Sequence, residues 1–278
     1  QHNHAQGWPY FTEHLVLATP DNGVATAIYA ACKATVKVGD GKEITLHEET
    51  NYPFEEGIAF TVSTDEKVAF PFYLRIPSWT QKAEVRVNGK KVSAAPVAGK
   101  YLCINREWAN GDRVELTLPM SLSMRTWQVN KNSVSVDYGP LTLSLKIAEK
   151  YVEKDSRETA IGDSKWQKGA DSKKWPTTEI YPDSPWNYSL VLDKKEPLKN
   201  FKVIRKSWPA DNYPFTATSV PLEVKAIGRP VPEWKIDETG LCGVLPEEDA
   251  VKGDKEEITL IPMGAARLRI SAFPNTKE

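Results

Sequence analysis

Hydrophobic and polar positions alternate with a period of two along most of this chain. Runs of this kind stand at "ATVKV" (34–38), "EITLHEET" (43–50), "IAFTVST" (58–64) and "VAFPFYLRIP" (68–77). Successive side chains of an extended strand point to opposite faces, so the alternation predicts strands with one face buried. Turn residues such as "GDGK" and "DEK" separate them. Residues 84–93 predict a hairpin around Asn88-Gly89, because both residues tolerate the positive φ that a two-residue turn demands. "KYLCINREW" (100–108), "ANGD" and "RVELTLPM" (113–120) predict a second hairpin, and further strands are expected at 133–147, 200–207, 221–227, 256–262 and 266–273. Turns recurring this often are those of a sandwich or jelly roll.

Two stretches depart from the period. "GWPYFTEHLVLATPDNG" (7–23) puts Phe11, Leu15 and Ala18 on one stripe at helical spacing. Pro9 suits a first turn, and Thr19-Pro20 with Asp21-Asn22-Gly23 ends the element, so a helix is predicted over residues 9–19. A lone helix ahead of strands cannot bury its apolar side by itself and reads as the last helix of another domain. Residues 153–189 carry few strand signals, many charges, and Trp166, Trp175 and Trp186, with Tyr181 and Tyr188 close by. The expected fold is all-β: a helical segment over 1–20, a first β-sandwich over 21–122, and a second over 123–278 with an irregular insertion at 153–189.

Composition narrows the function. Thirty-six Lys and Arg stand against 37 Asp and Glu, so the basic footprint of a nucleic-acid or anionic-membrane protein is missing. The most basic run, 192–206, carries its own acids and alternates with apolar residues, as a solvated strand face does. No apolar segment is long enough to span a bilayer. No signal peptide or initiator Met is present, and an opening on Gln1 implies a processed chain or a piece of a longer one. Cys32, Cys103 and Cys242 are odd in number and widely spaced, with no C-x-x-C, and read as small packing residues.

Candidate chemistry is sparse. There is no phosphate loop, nucleophile elbow or H-E-x-x-H helix. His2 and His4 flank Asn3, and both a metal or substrate role and a surface role stay open for them. Glycoside cleavage usually needs two carboxylates across the scissile bond, and the acids here come as the neighbours Glu48-Glu49, Glu55-Glu56 and Glu247-Glu248-Asp249. Adjacent strand residues point apart, so no such doublet forms the clamp by itself; each reads as a solvated edge. Trp79, Trp108, Trp127 and Trp208 lie at strand ends and read as sandwich core. The tryptophans of the insertion can stack on sugar rings, dock on a neighbouring domain or pack locally.

"LRIPSW" followed by "AEVRVNGKKV" resembles the accessory sandwich of the β-L-arabinofuranosidase family, glycoside hydrolase family 127. "YLCINREWANGDRVELTLPM" is similar to that family's next hairpin, and "VSVDYGPLTLSL", "SPWNYSLVLD" and "LIPMGAARLRISAFP" to its later strands. The resemblance covers nearly the whole chain. It implies an (α/α)6 barrel, of which residues 1–20 would be the last helix, followed by β-sandwich domains. In the family the chemistry resides in the barrel, where cysteines and a glutamate hold zinc and one cysteine is the nucleophile. "QHNHAQGWPYF" resembles the stretch just after the adjacent cysteine pair there.

The resemblance thus implies an accessory, non-catalytic region of an enzyme acting on plant-type or protein-linked arabinosides. No catalytic or metal residue is assigned in this chain, and zinc is implied only for the barrel. His2, Asn3, Trp186 and Tyr188 are the candidate substrate contacts. The expected partners are the barrel and an arabinose-containing glycan, with no nucleic acid and no membrane. A free-standing carbohydrate-binding module is the alternative, and an enzyme built from scattered carboxylates a third reading.

Overall fold

The structure is a computed structural model that describes residues 2–154, 171, 173–174, 176–247 and 250–278, with side chains from residue 5 onward. Two compact units divide it, one formed by Gln1–Ser121 with Tyr138–Pro140, the other by Leu122–Asp137 and Leu141–Glu278. Both are built of β-sheets, and the fold is all-β, with one α-helix among the described residues, α1 (His2–Glu13). Among the described residues no helix is long and apolar enough to cross a membrane.

In the first unit the strands are β1 (Val16–Ala18), β2 (Val24–Thr26), β3 (Cys32–Val38), β4 (Lys42–Thr50), β5 (Gly57–Ser63), β6 (Val68–Arg75), β7 (Glu84–Val87), β8 (Lys90–Lys91), β9 (Tyr101–Trp108) and β10 (Arg113–Thr117). They form a four-stranded sheet, β1-β2-β6-β9, and a six-stranded one, β3-β4-β5-β10-β7-β8. Alternation drives both. Phe70, Phe72 and Leu74 of β6 and Ile44, Leu46, Phe60 and Val62 of β4 and β5 are all buried in one core. Phe72 stands edge-on to Phe60 at 5.3 Å and to Trp108 at 5.9 Å, and the indole N–H of Trp108 donates to the Phe70 carbonyl at 3.0 Å. That bond lets a fully buried Trp satisfy its one polar atom.

Asn88 and Gly89 both take positive φ, 50° and 76°, as the hairpin signal requires. The Asn88 amide donates to Asp112 at 2.7 Å and its carbonyl accepts from the Arg113 N–H at 2.8 Å, tying the turn to β10. Gly23 is needed for a different reason. A Cβ built there would meet the Pro71 carbonyl oxygen at 2.2 Å, where β2 runs parallel to β6. Gly23→Ala must therefore shift backbone, and a loss of roughly 1–3 kcal/mol in urea unfolding is expected; a variant as stable as the parent would show that the approach is slack.

The helix differs from expectation. It ends at Glu13 and contains Pro9 in its interior, whereas Val16–Ala18 is a strand registered Val16↔Thr26 and Ala18↔Val24. Leu15 is buried, but Trp8, Tyr10 and Phe11 of the helix are exposed. Pairing with β2 outweighs continuation of the helix, because it satisfies the backbone of 16–18 and begins the sheet that covers the core.

The second unit holds β11 (Leu122–Trp127), β12 (Ser133–Tyr138), β13 (Leu141–Leu145), β14 (Glu149–Lys154), β15 (Thr177–Pro182), β16 (Tyr188–Leu192), β17 (Lys202–Arg205), β18 (Leu222–Pro230), β19 (Glu256–Pro262) and β20 (Asn275–Lys277). The main sheet runs β11-β12-β13-β19-β18-β16-β20, with β17 on β18. Segment 273–277 touches two distant strands: Phe273 bridges to Val134 of β12, and β20 lies parallel to β16. The sheet thereby curls around a core of Val136, Leu143, Leu190, Val224, Leu260 and Phe273. The strand expected over 266–273 is not one; after a short 3-10 turn, Met263–Ala265, only Phe273 pairs.

The ends of the region expected to be irregular pair with each other. β14 and β15 are antiparallel from Glu149↔Pro182 to Lys154↔Thr177. This register places Glu149, Tyr151, Ile180 and Pro182 on one face of a two-stranded ribbon.

Candidate functional site

The expected substrate contacts fall in different units, His2 and Asn3 in the first and Trp186 and Tyr188 in the second. His2 and Asn3 lie in α1, and their side chains fall outside the described residues, as do Trp166 and Trp175. Tyr188 is a core residue, only 6% exposed, in the cluster that also holds Leu190 and Ile258. Burial, with help from Glu256, pushes its hydroxyl up to about 12. Tyr188 opens a strand whose five residues are all buried, which leaves it no face for a ligand. Trp186 is half-buried. Its ring meets Trp234 edge-on at 5.1 Å, and it borders a cavity of about 220 Å³ together with Ile147, Pro182, Leu241 and Arg267.

Arg267 links that cavity to a neighbour. It also borders, with Glu149, Tyr151, Ser184, Thr216 and Thr218, a second cavity of about 620 Å³. Its guanidinium lies 5.8 Å from the Tyr151 ring centre, donates to the Tyr151 hydroxyl at 2.8 Å and reaches Glu149 at 3.4 Å. The Tyr151 hydroxyl in turn donates to Glu149 at 2.5 Å, which holds its proton more tightly than usual. The ribbon face described above supplies Glu149 and Tyr151; the turn after β19 supplies Arg267. Sequence reasoning misses this group. The alternation of "EKYVEK" and "TTEIYP" is the available signal, but Arg267 lies far away along the chain.

Other candidate chemistry resolves into structure. Glu48, expected on a solvated edge, is 1% exposed. It shares the inward parity of Ile44 and Leu46. One carboxylate oxygen accepts the Ala30 N–H at 3.0 Å, and the other lies 3.9 Å from the Cys32 sulfur. Burial pushes the carboxyl up to about 8 and, with Glu48 adding to it, the thiol up to about 11. A thiol held protonated in this way is a poor nucleophile. Cys103 and Cys242 are exposed, contrary to a packing role. Cys103 lies on β9 between the buried Leu102 and half-buried Ile104, on the outward parity.

Glu49, Glu55, Glu84 and Glu115 line an open groove of about 560 Å³ on the six-stranded sheet, where Arg113 reaches Glu49 and Glu115 at 3.5 Å and Arg86 pairs with Glu84 at 2.7 Å. Of the expected core tryptophans, Trp108 is fully buried and Trp79 packs against the same cluster. Trp127 is not core: it is 41% exposed, with its N–H on Ser135 at 2.9 Å and Arg125 5.1 Å from its ring. Trp208 is half-buried and donates to Asn212 at 2.7 Å. Among the described residues no three His, Cys, Asp or Glu side chains converge, so these residues do not fit a zinc centre.

Two stacked sheets in the first unit and a curled sheet in the second define an all-β region, similar in fold to parts of solved glycoside hydrolases. Residues 23–120 match the model described as the GH127 middle domain of β-L-arabinofuranosidases. A GH127 β-L-arabinofuranosidase from Geobacillus stearothermophilus T6 is similar in structure, with TM-score 0.65 and 21% identity over 99% of this chain and 37% of that one. A structure titled glycoside hydrolase (TM-score 0.58, 22% identity, 92% and 36%) and a GH127 β-arabinofuranosidase (0.59, 22%, 93% and 36%) are also similar. No curated protein matches the sequence. Residues 23–120 thus resemble the GH127 middle domain, and the chain spans little more than a third of the length of the solved structures it matches.

Proposed function

We propose that this chain is the accessory β-sandwich region of a β-L-arabinofuranosidase-like glycoside hydrolase, carrying no catalytic group of its own, whose chemistry belongs to a helical barrel outside this chain. The observation that carries the reading is the match of residues 23–120 to the GH127 middle domain, continued by structural similarity over 99% of the chain. The exposed face of α1 supports it: Trp8, Tyr10 and Phe11 are 59%, 67% and 38% exposed, apolar area suited to packing against a further helix. The zinc expected for such an enzyme is assigned to that barrel, and an arabinose-containing glycan to the whole enzyme.

Incubated with 4-nitrophenyl β-L-arabinofuranoside, with and without added zinc, the purified chain should release no nitrophenol above the buffer blank. Hydrolysis abolished by Glu49→Gln or Glu56→Gln would refute the reading and establish an enzyme within the sandwiches.

A further inference from the structure

We propose that the second unit carries its own binding site for a neutral oligosaccharide, in the two cavities that share Arg267. Four observations carry it. Tyr151 presents half of its surface (51%) beside the larger cavity, and Trp186 borders the smaller, so each cavity has an aromatic side chain at its wall. Aromatic rings offer flat apolar area to the C–H faces of a sugar. Arg267, Glu149, Thr216 and Thr218 supply donors and acceptors between and around them.

The charges at the larger cavity are engaged within the protein, Arg267 by Glu149 and Lys146 by Glu223, which also holds Lys206, both lysines at 2.6 Å. A polar wall whose charges already have partners within the protein favours hydroxyl groups over a carboxylate or phosphate. Lastly, the site is held in place. Glu149 accepts from both the backbone N–H and the guanidinium of Arg267, so ribbon and turn are fixed to each other before any ligand arrives. Ordering costs on binding are correspondingly small.

Trp186 enters as a wall of the cleft, and Tyr188 has no part in it. The choice of a sugar rests on the reading of the parent as a glycosidase; the location rests on the geometry alone.

The test is titration of the chain with arabinotriose and, separately, xylotriose, followed by calorimetry and tryptophan fluorescence. Saturable binding to one or both is expected, weakened about tenfold or more by Tyr151→Ala and by Arg267→Gln, with unchanged circular dichroism. Arg113→Gln, on the first unit, should leave it unchanged. Should Tyr151→Ala fail to fold, Tyr151→Phe keeps the ring and loses the hydroxyl, and a smaller but measurable weakening is expected. Absence of binding to either sugar, equal binding by the variants, or preference for tri-galacturonate would overturn the proposal. None of these results bears on the hydrolysis assay, and hydrolysis by the chain would leave this site standing.

Discussion

Trp108→Ala should be the most damaging single substitution in the first unit, lowering its unfolding free energy by about 3–5 kcal/mol. Trp108 is fully buried and touches Phe70 and Phe72 with ring centres at 5.7 and 5.9 Å. Truncation opens a cavity between the two sheets that neighbouring strands, fixed by their ladders, can only partly close. It also removes the indole donor from the Phe70 carbonyl, and an unsatisfied buried acceptor adds its own cost. Since whole domains are stable by only about 5–15 kcal/mol, the variant is expected to unfold at far lower urea. Tyr101→Ala, at an exposed site of the same unit, is the comparison and should cost about 1 kcal/mol or less. Similar midpoints for the two variants would mean that the core is not organised around Trp108.

Glu48 should make stability fall as pH rises. Its carboxyl ionises near 4.5 in a solvated chain and is pushed up to about 8 in the fold by burial. Between those values the folded state holds a proton that the unfolded chain has released. Stability therefore declines across the window from about pH 4.5 to 8 and levels off above it. The whole effect is at most about 5 kcal/mol, because each pH unit between the two values is worth about 1.4 kcal/mol. Glu48→Gln keeps a carbonyl for the Ala30 N–H but cannot ionise. Any fixed cost of the amide is the same at every pH, so the difference between parent and variant is the measurement. Relative to the parent, the variant should gain stability from pH 5 to pH 8 in parallel urea titrations; a constant difference would show that Glu48 ionises normally in the fold.

Much of the first unit is legible in the sequence because alternation is local. The runs at 34–38, 43–50, 58–64 and 68–77 form β3 to β6, and the Asn88-Gly89 turn takes the φ values its residues favour. The same rule, applied strictly, buries Glu48, since it falls in step with Ile44 and Leu46; its charge argues the other way. The helix is misplaced by pattern alone because Leu15 and Ala18 fit helical spacing and strand pairing alike, and only the register with Val24–Thr26 decides between them.

In the second unit the strands around 133–147 and 256–262 are readable, but in place of the strand expected at 266–273 stands a turn that delivers Arg267. The site is barely legible. Trp186 stands out by its type, whereas the pairing of Tyr151 with Arg267 joins distant parts of the chain and leaves no local pattern. Tyr188 shows the converse error: an aromatic residue beside a polar stretch suggests a ligand contact, when its own apolar run, "YSLVL", already makes it core.

The ladder from Glu149↔Pro182 to Lys154↔Thr177 fixes both ends of segment 155–176 at adjacent points. A flexible insert joined at these two points would pay for added length only logarithmically, about 0.6 kcal/mol for each doubling. The ribbon thus works as a socket whose two contacts stand side by side, whatever chain joins them. In protein engineering terms, a foreign peptide grafted across 154 and 177 would leave from the ribbon that carries the Tyr151 wall of the Arg267 cleft.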